Sequence, residues 1–205
     1  MAAKITEYLG AGLEPSRAAE PIVLLLHGYG SNERDLAELM PYLPRHKRWI
    51  APRGPLPTVQ NGFAWAPLST PGNPDPTEVA HGTNRLWNFI DSVIGTEAPL
   101  ILIGFSQGGL MATQLLRTRP ERIAKTGILA GFVVAADQPA DPWLAEHQPR
   151  VLYCRGAVDQ VISVDAVERT EAWLAAHTTA ETHVYPRLGH SVDDRVLADL
   201  ASYLN

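Results

Sequence analysis

Ser106, Asp159 and His190 are the residues whose types and order are able to do covalent chemistry. Ser106 sits in Gly104-Phe105-Ser106-Gln107-Gly108, a G-x-S-x-G match between a short apolar run and a helical pattern. A serine hydroxyl is a poor nucleophile at neutral pH and needs a base to take its proton as it attacks. Histidine suits that task because its pKa lies near the working pH. A carboxylate on the far ring nitrogen fixes the tautomer and stabilises the imidazolium that forms. Asp159 and His190 follow Ser106 in that order, each just past an apolar strand pattern. Asp137 and Asp141, after the preceding strand, compete with Asp159, which would otherwise be an ordinary turn carboxylate. His190 would otherwise cap the closing helix. Of the other histidines, His46, His81, His147 and His177 follow no strand, His183 lies within one, and His27 precedes the serine.

Attack on an acyl carbonyl builds an oxyanion that needs donors fixed in advance. One expected donor is the backbone N–H of Gln107, directly after the nucleophile. The other is assigned to the backbone N–H of Tyr29, in His27-Gly28-Tyr29-Gly30, where the glycines let main chain approach a substrate. Such a donor is typically worth about 10²–10³ in rate. Gly104 and Gly108 are expected to flank a crowded turn in which a Cβ would strike neighbouring backbone. Ser106 then stands at a helix N-terminus, where free N–H groups and the helix dipole favour anions.

These residues need a scaffold that brings distant segments together. Ile22 to Leu26 and Leu100 to Ile103 are continuous apolar runs of strand length, as expected of strands covered on both faces. Further strands are predicted at Trp49 to Ala51, Thr126 to Ala130, Arg150 to Cys154 and Glu181 to Tyr185, with a short edge strand within Ala3 to Gly10. Gly12 to Pro21 reads as a polar connection. Ser31 or Asn32 is expected to cap a helix carrying Leu36, Leu39 and Met40 and ended by Pro41 and Pro44. Helices are also predicted from Thr83 to Gly95, from Ser106 toward Pro120, from Asp165 to His177 and through Val196 to Leu204. Ala136 to Pro149 reads as a short connection. Strands alternating with helices imply an α/β fold with a mostly parallel, doubly wound sheet and helices on both faces. Sites in such sheets lie beyond the C-terminal strand ends. That rule gathers His27 to Gly30, Ser106, Asp159 and His190 on one edge. Pro52 to His81, rich in proline and glycine, is a long loop of the kind that is usually functional. It is expected to wall or partly cover the site, with Phe63 and Trp65 touching substrate; the alternative is a surface loop whose aromatics pack down on the core.

The 205 residues are expected to form one domain with a sizeable core. A formal charge of −5 without long charge runs argues against nucleic acid or an anionic membrane as partner. The single cysteine, Cys154, excludes an internal disulfide and any cysteine metal cluster. It reads as a buried, inert thiol. Met1 to Gly10 has no apolar signal-peptide core, and no apolar run approaches the ~18 residues of a membrane span. A cytoplasmic protein without stable membrane association is the expectation.

Together, H-G-Y-G-S-N-E-R-D-L, G-F-S-Q-G-G, R-G-A-V-D-Q-V-I and L-G-H-S-V resemble the phospholipase/carboxylesterase family of small α/β-hydrolases. That group includes the acyl-protein thioesterases and related bacterial carboxylesterases. The resemblance runs from about Ile22 to Leu204. It implies the α/β-hydrolase fold, a Ser106-Asp159-His190 triad and an oxyanion hole of Tyr29 and Gln107 N–H groups. It also implies hydrolysis of short to medium acyl (thio)esters with no cofactor or metal. The family often pairs, so the resemblance extends to a homodimer. Arg155 stands where the family often has histidine, Tyr29 where leucine is commoner, and Asn61 to Trp65 match only loosely. Eighteen residues separate Gly131 from Arg150, too few for a cap domain, so access should be open. Short-chain esters should be cleaved and large triglycerides poorly. The competing readings are a non-catalytic ligand-binding protein on the same scaffold, and a lactone or amide hydrolase with the same triad.

Overall fold

The computed structural model describes residues 3–13, 20–43, 48–59, 61–68, 70 and 72–205. Its elements in chain order begin with strands β1 (Tyr8–Ala11), β2 (Ile22–Leu26), β3 (Trp49–Pro52), β4 (Leu56–Pro57) and β5 (Phe63–Ala64). Then come helix α1 (Pro76–Ile94), strand β6 (Leu100–Phe105), helix α2 (Gln107–Leu116), strand β7 (Ile123–Leu129) and helix α3 (Asp141–His147). Strand β8 (Arg150–Gly156), helix α4 (Val164–His177), strand β9 (Thr179–Tyr185) and helix α5 (Asp194–Leu204) complete the chain.

Seven of these strands form one sheet in the order β1-β3-β2-β6-β7-β8-β9, and β4 and β5 form a separate hairpin. Every pairing in the large sheet is parallel except that of the edge strand β1 with β3. The side chains of β2 show why its sequence is apolar throughout. Val23 and Leu25 pack into the core under α5, with Ile103, Leu200 and Tyr203. Ile22, Leu24 and Leu26 pack into the opposite core under α1 and α2, with Leu86, Leu102 and Met111. Alternation along a strand therefore serves two buried faces, and no position is left for a polar residue. Helix α2, inside this sandwich, is buried at all ten of its residues.

Several boundaries differ from expectation for local reasons. Helix α1 begins at Pro76, not Thr83, because the Asp75 carboxylate caps it, accepting from the Thr77 and Glu78 N–H groups at 2.7 and 3.4 Å. The long loop is correspondingly shorter and contains the β4–β5 hairpin. Leu36–Tyr42 is a 3-10 helix that holds Pro41 inside it, and its N-cap is Asp35 without a side-chain bond. Ser31 and Asn32 cap nothing there. The Ser31 hydroxyl donates to Asp35 at 2.7 Å and Asn32 accepts from the Arg34 N–H at 2.9 Å. Pro44, His46 and most of the Gly12 to Pro21 connection lie outside the described residues.

The stretch between β7 and β8 holds α3 and no cap domain. It is tied down by Asp141, which accepts from Arg117 Nε and Nη2 at 2.8 and 2.7 Å, from the Gln138 N–H at 2.8 Å and from the Trp173 indole at 3.1 Å. Asp141 is thereby committed to the scaffold. Cys154 is buried in β8, and burial pushes its thiol up to about 11, so it is protonated and inert at neutral pH.

Candidate active site

The strand order places the site. The chain leaves β2 for β3 on one side, while β6 lies on its other side, so a crevice opens at the C-terminal ends of β2 and β6. Leu26 pairs with Gly104 across these strands, and residues 27–30 emerge beside Phe105 and Ser106. The turn from β6 into α2 is tight. Ser106 has φ 54° and ψ −117°, a conformation that L-residues rarely adopt and that costs of order 1–3 kcal/mol. Neither flanking glycine has room for a Cβ. At Gly104 it would meet the Gly108 carbonyl, and at Gly108 it would meet the carbonyl of Leu26. The start of α2 thus abuts the end of β2.

Three loops then converge. The Ser106 hydroxyl donates to His190 Nε2 at 2.9 Å, and His190 Nδ1 donates to Asp159 Oδ2 at 2.7 Å. A carboxylate can only accept, so Nδ1 carries the proton and Nε2 is left as the acceptor that faces the serine. The other carboxylate oxygen of Asp159 accepts from the N–H groups of Val161 and Ile162 at 2.8 and 3.2 Å. The acid loop is joined to the histidine loop by the Val158 N–H, which donates to the Leu188 carbonyl at 3.1 Å. The imidazole also packs on Phe105, with ring centres 4.9 Å apart. Of the competing acids, Asp141 is bound to Arg117 and Asp137 is exposed.

The 27–30 loop is held by His27. Its Nδ1 donates to the Gly28 carbonyl at 2.7 Å, and its Nε2 accepts from the Gly54 N–H at 2.9 Å. Both nitrogens are used by the neutral ring, and burial holds its pKa below the ordinary 6.5. The unfolded chain therefore binds a proton that the folded chain refuses. Stability from this ring is present above about pH 6.5 and is lost as pH falls below it. The melting temperature should drop between about pH 7 and 5, and His27→Gln, which cannot titrate, should flatten that slope. Equal slopes in the two proteins would mean that His27 is not buried in its neutral form.

The Tyr29 N–H makes no hydrogen bond among the described residues. The Gln107 N–H stands at the first helical position of α2, where no intrahelical acceptor exists. Both groups are therefore free to donate.

Trp65 and Phe63 occupy positions other than those expected. Trp65 is fully buried, at 0% exposure, and does not line the cleft beside Ser106. Its indole N–H donates to the His27 carbonyl at 2.8 Å. Its backbone N–H donates to Gln107 Oε1 at 2.9 Å, and Gln107 Nε2 donates to the Ala66 carbonyl at 2.8 Å. Phe63 accepts from the Gly30 N–H at 2.9 Å, donates to the Ser31 carbonyl at 2.8 Å and lies under the Arg53 guanidinium. Neither aromatic lines the cleft, and the bonds of both tie their segment to the 27–31 loop. The Gln107 side chain is part of that clamp.

The cleft itself has a volume of about 210 Å³ and is mainly apolar. Leu68, Leu110, Phe132, Val161 and Ile162 line it beside Ser106 and His190. Leu68 comes from the long loop, which does form a wall. Phe132 and Ile162 follow strands β7 and β8, a position that could have marked them in the sequence. Among the described residues no cluster of three or more histidine, cysteine or acidic side chains could hold a metal ion. No helix among the described residues is long and apolar enough to cross a membrane.

A parallel sheet with a single antiparallel edge, helices on both faces and a strained serine turn after the central strand defines an α/β-hydrolase. Residues 13–205 match the Phospholipase/Carboxylesterase family, and the chain belongs to that family of ester hydrolases. The carboxylesterase SOBER1 of Arabidopsis thaliana is 25% identical over 91% of this chain and 90% of its own length. The esterase YpfH of Escherichia coli is 25% identical over 88% of this chain and 80% of its own. The crystal structure of a carboxylesterase from Mesorhizobium loti superposes with a TM-score of 0.78 at 21% identity, covering 96% of this chain and 93% of that one.

Proposed function

We propose that this carboxylesterase-family protein cleaves esters and thioesters of short to medium acyl chains through an acyl-enzyme on Ser106. The observation that carries this reading is the unbroken line from Asp159 Oδ2 to His190 Nδ1 at 2.7 Å and from His190 Nε2 to the Ser106 hydroxyl at 2.9 Å. His190 takes the hydroxyl proton as Ser106 Oγ attacks the acyl carbonyl, and it returns that proton to the departing alcohol or thiol. Asp159 holds the ring and stabilises its charged form. The Tyr29 and Gln107 N–H groups donate to the tetrahedral oxyanion, assisted by the N-terminus of α2. Water, activated by the same ring, then releases the acid and restores the serine. Every group required is on the chain, so the scheme uses no cofactor.

The acyl chain occupies the cleft lined by Leu68, Leu110, Phe132 and Ile162. At about 210 Å³ that cleft is smaller than a typical site for a drug-sized ligand, which starts at roughly 300 Å³, and this favours short chains. A series of p-nitrophenyl esters tests the assignment. The specificity constant kcat/KM should peak at butanoate to octanoate and fall by roughly tenfold or more at palmitate. A clear preference for palmitate would overturn it. The cytoplasm remains the proposed location, and a homodimer the proposed assembly.

A further inference from the structure

A second cavity, of about 290 Å³, lies on the far side of the loop that carries Asp159. Its walls include Ala130, Tyr153, Arg155, Val164, Val167 and Glu171. Among the described residues, Ile162 is the one side chain common to the linings of this cavity and of the cleft beside Ser106. We propose that Ile162 is the partition that limits acyl length, and that the space behind it accepts the distal end of a longer acyl chain once the partition is shortened. The proposal rests on the reading of Ser106 as the acylated residue.

Ile162 differs from the other walls of the cleft. Leu110, Phe132 and Ile162 belong to one buried cluster, at 0%, 3% and 7% exposure. Of the three, Ile162 alone also lines the second cavity, so trimming it opens the cleft toward that space. The partition is also held still. The Val161 and Ile162 N–H groups both donate to Asp159, which fixes the backbone on which the side chain stands. Branching at Cβ restricts that side chain further. Because the hold on Asp159 is made by main chain, truncating the side chain removes the wall and leaves the carboxylate anchored. In the second cavity Arg155 is paired with Glu171 at 2.8 Å, so their charges are mutually satisfied. Asp159 and Glu168 also line this cavity, Asp159 being engaged by His190 and the Val161 and Ile162 N–H groups, and the methyl groups of Ala130, Val164 and Val167 are the apolar surface offered to an acyl chain.

The test is the ratio of kcat/KM for p-nitrophenyl dodecanoate to that for the butanoate. Ile162→Ala should raise the ratio at least about tenfold over wild type, since several methylenes gain a place and each is worth a few-fold or more. Val164→Trp, which fills the second cavity from its exposed rim, should leave the wild-type ratio unchanged and should cancel the gain when combined with Ile162→Ala. Ile162→Val should move the ratio the same way by a smaller step, which keeps the test open if the alanine variant fails to fold. A ratio that stays at the wild-type value in both Ile162 variants overturns the partition. So does a gain that Val164→Trp leaves intact. Ester turnover that survives Ser106→Ala signals failure of the underlying site assignment, whereas unchanged chain preference with serine-dependent turnover signals failure of the partition alone.

Discussion

Ser106→Ala should lower kcat for p-nitrophenyl butanoate by about a millionfold and abolish labelling by a fluorophosphonate. The size of the effect follows from the geometry. Without the hydroxyl, the line from Asp159 through His190 ends on a methyl group, and no acyl-enzyme can form. What remains is catalysis by the oxyanion donors and by binding, typically about 10³–10⁴ over water. The fold should barely notice the change. Ser106 is the N-cap of α2 but makes no side-chain capping bond, and its positive φ is imposed by the turn whatever the side chain. The one bond lost is the hydroxyl's donation to His190, worth about 0.5–1.5 kcal/mol, so the melting temperature should fall by no more than about 5 °C. A variant that turns over at the wild-type rate would show that Ser106 is not the nucleophile. Asp159→Asn is the companion experiment. An amide in place of the acid favours the wrong imidazole tautomer and should cost roughly 10⁴ in kcat.

Asp141→Ala should do the reverse, leaving the catalytic groups in place and destabilising the fold by about 3–5 kcal/mol, or roughly 10–15 °C in Tm. Four donors converge on this carboxylate, from Arg117, Gln138 and Trp173. Arg117 is almost fully buried, with 3% of its side chain exposed, so losing its partner leaves an uncompensated charge inside the protein. Burial alone would raise the Asp141 carboxyl, but hydrogen bonds from Arg117 and the Gln138 N–H hold it below the ordinary carboxylate value of 3.8. A depressed carboxyl contributes stability that is present above the unfolded value and lost as pH falls through the folded one. The wild type should thus lose this contribution only in acid, below about pH 4, and the variant should lack it at every pH. Thermal unfolding of the two proteins across pH checks both statements. A melting temperature unchanged in Asp141→Ala would overturn the structural role assigned to that residue. Asp159 and Asp141, close rivals in the sequence, are thereby separated by experiment: one should govern turnover and the other stability.

Much of the scaffold was readable because its signals are local. Continuous apolar runs of strand length in β2 and β6 read as strands covered on two faces. The start of α1 was equally local, since Asp75-Pro76 is a capping aspartate followed by proline at the first helical position. It was hidden by the proline and glycine around it, which read as loop. Leu36–Tyr42 tightened to a 3-10 helix, with Pro41, which lacks an N–H to donate, inside its last turn.

The sequence by itself singled out the residues whose types suit the proposed chemistry. Residue type restricts the chemistry, and the rule that loops after parallel strands share an edge gathers Tyr29, Ser106, Asp159 and His190 without knowledge of the packing. The direction in which each neighbouring side chain points was decided only by the tertiary structure. Trp65 is drawn inward by hydrogen bonds to His27 and Gln107, from segments far from it in the chain, and Asp141, at the start of α3, is claimed by Arg117, just past the end of α2. The cleft beside Ser106 is the space left between residues of the loops after β2, β7, β8 and β9, of the segment before α1, and of the β6–α2 turn and α2 itself. Such a space belongs to no local segment, so its walls, Ile162 among them, exist only once the chain has folded.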